Sequence, residues 1–177
     1  MKSLKYKIII LPPDHHHLTM RDTFDKGSQY VSSIYELCLK LNYTRNQILV
    51  KYRTNEQKNN YYTHYKSETG YGLLKNYLHK DVIVIGPPGS GTIECLLNDL
   101  QFYTYEDYNL ISRNKSVNLQ ALDQLHKILY IADNIKNLEF NMLNKLIYKK
   151  NKSKKNLTFD NSYYTKQIVE KILNKKK

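Results

Sequence analysis

The part of the sequence best suited to chemistry is a glycine-rich turn at residues 86–92, GPPGSGT. It follows the β-branched run DVIVIG and leads into the helical pattern TIECLLNDL. A glycine-rich turn that opens a helix presents free backbone N–H groups and the positive end of the helix dipole, which suits a diphosphate. Glu94 lies in the first helical turn, where a carboxylate can accept hydrogen bonds from ribose hydroxyls. The alternative is that Ser90 and Glu94 only cap the helix and bind nothing.

A triphosphate-binding loop is a weaker interpretation of the same turn. The pattern G-x-x-x-x-G-K-[ST] needs a lysine after the last glycine, for the β- and γ-phosphates, and then a hydroxyl for magnesium. Thr92 stands at the lysine position and Ile93 at the hydroxyl position. Both charged-ligand roles are therefore lost, and a degenerate P-loop-like nucleotide binder is kept only as a lesser alternative.

The elements that would position this turn follow from hydrophobic periodicity. The predicted strands are residues 5–11 (buried on both faces), 47–52, 81–86 and 100–105. The predicted helices are residues 28–41 with Ser28 as N-cap, 71–79, 92–100, 117–135 and 163–173. Alternating strands and helices predict an α/β fold, a Rossmann-like three-layer α/β/α arrangement around a small parallel sheet.

In such sheets ligands bind beyond the carboxyl ends of the strands. Lys51 and Arg53 end the second predicted strand, and the polar loop after the first contains His17 and Arg21. The run Asp14-His15-His16-His17 suggests a metal, but metal ligands normally converge from separate elements with second-shell support. We therefore expect no metal site and no cofactor.

The segment DVIVIGPPGSGTIECLLNDLQFYTYED resembles the C-terminal half of GT-B glycosyltransferases of the capsule and surface-polysaccharide type. In that family a strand, a glycine-rich turn and a helix carrying a glutamate hold a nucleotide-sugar donor. The resemblance implies diphosphate contacts at Ser90, Gly91 and Thr92 and a ribose contact at Glu94. The preceding ILVKYRTNEQ is similar to a strand that ends in a K-P-H-P-like motif, of which only Lys51 carries over.

The resemblance thus implies a binding set for a nucleotide-diphosphate sugar and no identified catalytic residue. The candidate residues are Arg21, Lys51, Gly89, Ser90, Gly91, Thr92, Glu94 and His17. A GT-B enzyme has two Rossmann-like domains, with the acceptor and its base on the other one. We therefore expect a separate acceptor-domain subunit as a partner.

The charge of the chain is concentrated at its C-terminal end. Its 28 Lys and Arg exceed 16 Asp and Glu, for a net charge of +12. Residues 145–177 hold eleven lysines against Asp160 and Glu170, a net charge of +9. Base- and phosphate-reading surfaces favour arginine, of which the chain has only four, so no nucleic-acid partner is expected. A solvated charge run and an attraction to anionic membranes stay open.

The sequence therefore predicts a Rossmann-like nucleotide-sugar-binding domain at 1–144 and a Lys-rich tail with a short helix at 145–177. The predicted function is donor binding by a glycosyltransferase in polysaccharide or glycoconjugate synthesis. The alternative is a non-catalytic Rossmann-like interaction module. The longest apolar runs are too short to cross a bilayer, so a cytoplasmic location is expected, with peripheral contact of the tail at the inner membrane surface.

Overall fold

The computed structural model describes residues 6–13, 23–53, 55, 58, 65–69, 81–107, 109, 110 and 125–149. Within these ranges six parallel strands form one sheet. They are β1 (Ile8–Ile10), β2 (Ile48–Tyr52), β3 (Ser67–Thr69), β4 (Ile83–Gly86), β5 (Gln101–Tyr105) and β6 (Ile131–Ala132). Their order across the sheet is β3-β2-β1-β4-β5-β6. The predicted α/β, Rossmann-like fold class is confirmed.

The sheet has two more strands than the four predicted. The four predicted runs are β1, β2, β4 and β5. The additional strands, β3 and β6, are three and two residues long and lie at the two edges of the sheet. Segments this short have no hydrophobic periodicity of their own. They become strands because each pairs in parallel with a longer neighbour, β3 with β2 and β6 with β5.

Three helices flank the sheet in the described part of the chain: α1 (Thr23–Lys40), α2 (Ser90–Leu97) and α3 (Ile135–Leu143). The prediction of Ser28 as the N-cap of the first helix is wrong, because α1 begins at Thr23. The single helix predicted over 117–135 is also wrong. Residues 125–128 are helical, but Ile131–Ala132 form β6 and α3 begins at Ile135.

Alternation along the central strands assigns the helices to two layers. Ile10, Val50 and Ile85 lie on one face and form a buried cluster with side chains of α1 and α3. Ile9 and Val84 lie on the other face and form a second cluster with Cys95 of α2. Because both faces are covered, all three residues of β1 are fully buried, as predicted. Burial of each such side chain stabilises the fold by about 1.5–3 kcal/mol.

All three helices end in the same left-handed turn. Asn42, Asp99 and Lys145 have φ values of 66°, 58° and 53° and stand one position beyond the C-cap. At each end the N–H groups of this residue and the next donate to carbonyls of the last helical turn, for example Leu100 N to Cys95 O at 3.0 Å. This is the Schellman arrangement, here without the glycine usual at that position. The sequence analysis missed it because glycine is its signal.

The chain remains hydrogen-bonded to the sheet layer as far as Lys149. Tyr130 N donates to Ile147 O at 3.0 Å, and Lys149 N donates to Ile128 O at 2.9 Å. None of the helices in the described ranges combines the length and the apolarity that a bilayer crossing requires. The predicted helices at 71–79 and 163–173 lie outside the described residues, as does the rest of the tail beyond Lys149.

Candidate functional site

The glycine-rich turn lies at the point where the chain changes the direction in which it crosses the sheet. β1 and β4 are neighbours at the centre of the sheet, and the chain crosses from β1 towards β2 but from β4 towards β5. The two connections leave in opposite directions and open a crevice outside the carboxyl ends of β1 and β4. Such a switch point is where open α/β sheets bind ligands. Leu11 N donates to Ile85 O at 2.8 Å and holds the two strand ends together at the crevice.

The Thr92 side chain makes two hydrogen bonds within the glycine-rich turn. Gly89 N donates to Thr92 Oγ1 at 3.0 Å, and Thr92 Oγ1 donates to Pro87 O at 3.3 Å. Thr92 is fully buried, and its hydroxyl belongs to the turn. The N-cap of α2 is Gly89 and not Ser90, and the side chain that returns to the N-cap N–H is that of Thr92 and not that of Glu94.

The start of α2 nevertheless leaves donors for an anion. The first intrahelical bond runs from Ile93 N to Gly89 O at 3.2 Å. The N–H groups of residues 90–92 therefore precede the first intrahelical bond, as in the first turn of every α-helix. They lie at the positive end of the helix dipole. This end of α2 lies beyond the carboxyl end of β4, close to Leu11 at the end of β1.

Two of the glycines lie directly against Leu11. A Cβ at Gly86 would lie 2.9 Å from Leu11 Cβ and 3.1 Å from Leu11 O. A Cβ at Gly91 would lie 2.8 Å from Leu11 Cδ1. A Cβ at Gly89 would meet no atom within 4 Å. The glycine pattern therefore lets α2 approach the end of β1 closely, which is one established use of glycine in dinucleotide-binding turns.

Lys51 stands in β2 two positions after Leu49, which is the register partner of Ile9. Its side chain therefore lies on the face of the sheet that α2 covers. The Lys51 residue is only 8% exposed. Burial lowers the pKa of its ammonium group, and the carboxylates of Glu68 and Glu94 oppose that shift. Lys51 and Glu68 are register partners on β2 and β3. The fold thus brings Lys51 and Glu94 close enough for their charges to interact, although 43 positions separate them in the sequence.

Five of the eight predicted binding residues lie at this edge of the sheet. They are Lys51, Gly89, Gly91, Thr92 and Glu94. Ser90 begins α2, and its side chain is outside the described residues, as are His17 and Arg21 entirely. Glu68 was missed by the sequence analysis. Its strand is SET, a polar triplet without any pattern typical of a strand.

A second polar group at the end of β5 was also missed. His126 Nε2 lies 2.9 Å from Glu106 Oε2, and the two side chains are 24% and 4% exposed. Glu106 follows β5 and donates its N–H to Ala132 O at 2.8 Å. The pair therefore links the helical residues 125–128 to the carboxyl edge of the sheet. Twenty positions separate the two residues, so no local pattern could have signalled the contact.

Thr104 of β5 carries an unpaired hydroxyl. It is the register partner of Gly86 and is 2% exposed. Among the described residues it has the one buried side-chain oxygen without a hydrogen-bond partner. A buried hydroxyl that makes no bond costs about 1–3 kcal/mol of desolvation free energy. Thr104 therefore destabilises the domain as it stands.

Thr104→Val is expected to raise the free energy of unfolding by about 1 kcal/mol, because it removes the unpaired hydroxyl at nearly constant volume. Thr92→Val is the matched control, since the Thr92 hydroxyl makes two bonds in the turn. It should lower the free energy of unfolding by about 1–2 kcal/mol. Urea unfolding of both variants measures the contrast. Equal destabilisation by the two changes would show that the Thr104 hydroxyl has a partner.

Neither cysteine has the character of a nucleophile. Both are buried, and burial raises the pKa of the Cys38 thiol to about 12. Burial also raises the pKa of Cys95, and the nearby Glu94 carboxylate raises it further. Thiolate would therefore be scarce at neutral pH. In the portions that the structure describes, no three His, Cys, Asp or Glu residues come together as a metal site would require.

Comparison of the chain with protein-family models, with curated proteins and with solved structures finds no match. The resemblance to GT-B glycosyltransferases therefore has only the motif residues behind it. The fold and the geometry of the crevice are what the described residues themselves supply. Those residues offer an amide-lined helix start, one buried cation and two carboxylates at a sheet switch point.

Proposed function

We propose that this chain is the donor-binding domain of a glycosyltransferase and binds a nucleotide-diphosphate sugar for polysaccharide or glycoconjugate synthesis. The observation that carries the proposal is the position of α2. Its N-terminus lies at the switch point between β1 and β4, and Glu94 is the fifth residue of the helix. Ligands of open α/β sheets bind at that place, and phosphates bind helix N-termini.

Different residues bind different parts of the nucleotide-sugar donor. The backbone N–H groups of residues 90–92 hold the diphosphate, and the Glu94 carboxylate accepts hydrogen bonds from the ribose hydroxyls. Lys51 is close enough to Glu94 to interact with its charge. It orients that carboxylate and adds positive charge near the leaving diphosphate. Preorganised donors of this kind stabilise the negative charge that develops as the glycosidic bond breaks.

His17 and Arg21, in the loop after β1, are the further candidates for phosphate contacts. A separate acceptor-domain subunit would supply the acceptor site and the base. The proposal also includes a cytoplasmic location, with the Lys-rich residues beyond 145 drawn to the anionic inner membrane surface.

Glu94→Gln tests the donor site. Loss of charged hydrogen bonds to the ribose should weaken nucleotide binding by about 10- to 100-fold, since such bonds contribute about 1.5–3 kcal/mol. Titration calorimetry of the full chain with UDP, GDP and CMP measures the change. Glu36→Gln is the matched control, because it makes the same chemical change at an exposed position of α1. It should leave binding unchanged.

Two results would count against this proposal. Wild-type protein that binds none of the three nucleotides at millimolar concentration would refute the donor site itself. Binding that Glu94→Gln leaves at the wild-type affinity would refute the ribose contact while leaving a phosphate site at the helix start. UDP and GDP should bind more tightly than CMP, because CMP has one phosphate and the proposed site fits two.

A second candidate function is a non-catalytic interaction module. The charge balance in the crevice favours it, since the single positive charge of Lys51 is offset by Glu68 and Glu94. Packing against Leu11 also accounts for Gly86 and Gly91 without any ligand. A module of this kind should show no thermal shift with nucleotide diphosphates. The donor domain should be stabilised by them in proportion to ligand concentration.

A further inference from the structure

The outward side of α3 carries an apolar pair. Phe140 is 57% exposed and Leu143 is 64% exposed, and these are the large hydrophobic side chains exposed among the described residues. With Lys136 they stand at positions i, i+4 and i+7, which places all three on one stripe of the helix. The stripe of Lys136, Phe140 and Leu143 is called the α3 face.

The fold itself does not need the α3 face. The opposite side of α3 contributes Leu138 and Met142 to the buried cluster between the sheet and α1. The helix is therefore anchored by its inner side and by the turn that follows it. Exposing two large apolar side chains gives no stability to the isolated domain, because their surface stays in water.

The surroundings of the α3 face are cationic. Lys136 and Lys145 are exposed at the two ends of the stripe. Glu139 beside it is neutralised by Lys40, with Nζ and Oε1 2.6 Å apart. Asp133, before the helix, accepts hydrogen bonds from the Asn134 and Asn137 side chains.

The strongest positive charge follows directly in the sequence. Residues 150–155 are KNKSKK, four lysines in six positions with no acidic residue. They begin one position after Lys149, the last described residue, which lies close behind α3 in the sequence. A face with apolar side chains flanked by lysines is complementary to an anionic bilayer surface, which offers an apolar interior beneath negative headgroups.

We propose that the α3 face is a peripheral membrane-docking surface that binds anionic lipid, with Phe140 and Leu143 entering the headgroup region and the lysines facing the lipid phosphates. This interaction is independent of nucleotide binding. The crevice at the end of β4 is lined from α2, whereas α3 packs on the other face of the sheet. Lipid binding and nucleotide binding can therefore succeed or fail separately.

The experiment is co-sedimentation of the full chain with vesicles of phosphatidylglycerol and phosphatidylcholine, and with vesicles of phosphatidylcholine alone. Wild-type protein should bind the anionic vesicles, and binding should fall as salt is raised. Phe140→Gln with Leu143→Gln should weaken partitioning about tenfold or more, through loss of apolar burial. Lys136→Gln should weaken it about fivefold.

Lys127→Gln is the matched control, because Lys127 is an exposed lysine on the helical residues 125–128 that pack against α2. It should change partitioning by less than about twofold, since the helical residues 125–128 pack on α2 and α3 covers the other face of the sheet. Circular dichroism and urea unfolding check that each variant is folded. Lys136→Gln keeps the test decisive if the double variant does not fold.

Three results would overturn the proposal. The first is wild-type protein that does not bind the anionic vesicles at low salt. The second is a folded double variant that binds as the wild type does, which would assign the attraction to the lysines alone. The third is an oligomer, seen by sedimentation velocity, that the double variant converts to monomer while vesicle binding is unchanged, which would make a second copy of the chain the occupant of the face.

Discussion

Gly86→Ala is expected to lower the free energy of unfolding by about 2 kcal/mol, through overpacking at the centre of the sheet. The new Cβ would lie 2.9 Å from Leu11 Cβ and 3.1 Å from Leu11 O. Neither atom can be moved by a side-chain rotation, so β1 and β4 must shift apart at the point where the crevice opens. Urea unfolding of the full chain measures the change.

The other two glycines of the turn provide graded controls. Gly91→Ala meets only Leu11 Cδ1, the flexible end of a side chain, and gains helix propensity of about 1 kcal/mol. It should be close to neutral. Gly89→Ala meets no atom within 4 Å and should cost less than about 1 kcal/mol as an N-cap change. A result in which Gly86→Ala is as stable as Gly89→Ala would contradict the packing derived for Leu11.

His126→Ala is expected to lower the free energy of unfolding by about 1.5–3 kcal/mol, the size typical of a hydrogen bond to a charged group. The Glu106 side chain is 4% exposed and would lose the contact that His126 Nε2 makes at 2.9 Å. The helical residues 125–128 would also lose their side-chain link to the end of β5. Thermal and urea unfolding both report the loss.

A second substitution tests the cause of that loss. In the His126→Ala background, Glu106→Gln should restore about 1 kcal/mol or more, because a neutral amide is less costly to bury than a carboxylate. Lys127→Ala, at the exposed position next to His126, should change stability by less than about 0.5 kcal/mol. If Glu106→Gln worsens the His126→Ala variant, the carboxylate is held by other partners and the pair is not what stabilises this edge.

The two predictions concern different parts of the carboxyl edge. Gly86 sets the approach of β1 to β4, on which the proposed nucleotide site depends. His126 and Glu106 secure the connection that leads into β6. Nucleotide affinity should therefore fall with Gly86→Ala and remain near the wild-type value in any folded His126 variant. A loss of stability alone, as in the His126 variant, can therefore be distinguished from a loss of both stability and nucleotide affinity, as in Gly86→Ala.

The strands at the centre of the sheet were predictable from local composition. The run IIIL of β1 and the run VIVIG of β4 are β-branched and uninterrupted, which is typical of strands covered on both faces. β3 and β6 were not predictable, because SET and IA have no period. They exist as strands through pairing with β2 and β5. Secondary structure at the sheet edges is thus decided by a neighbour that is distant in sequence.

The predicted helix over 117–135 shows how a correct periodicity can give a wrong element. Leu125, Leu129 and Ala132 have the spacing of one stripe of a helix, and all three are buried. Only Leu125 of these lies in helical residues, while Ala132 lies in β6 and packs on the other face of the sheet. Core positions were therefore identified correctly where the backbone was not. The pairing of β6 with β5 is stronger than continued helix here because it completes the parallel sheet.

The candidate site likewise combines features that local sequence predicts with features that depend on the fold. The glycine turn, the helix that follows it and the position of Glu94 within that helix come from local patterns, since a few consecutive residues create them. The electrostatic interaction of Lys51 with Glu68 and Glu94 and the pairing of Glu106 with His126 involve residues on separate elements. No short stretch of sequence carries that information.

Local patterns predict the α/β class, the strands β1, β2, β4 and β5 and a helix start suited to phosphate, because backbone conformation and side-chain alternation are local properties. The tertiary fold was needed to show that β1 and β4 are neighbours, that the chain crosses the sheet in opposite directions after them and that Lys51 interacts electrostatically with Glu94 of α2. The physical reason is that strand order is chosen by the packing of both sheet faces at once, and each strand alone is equally able to pair with several others.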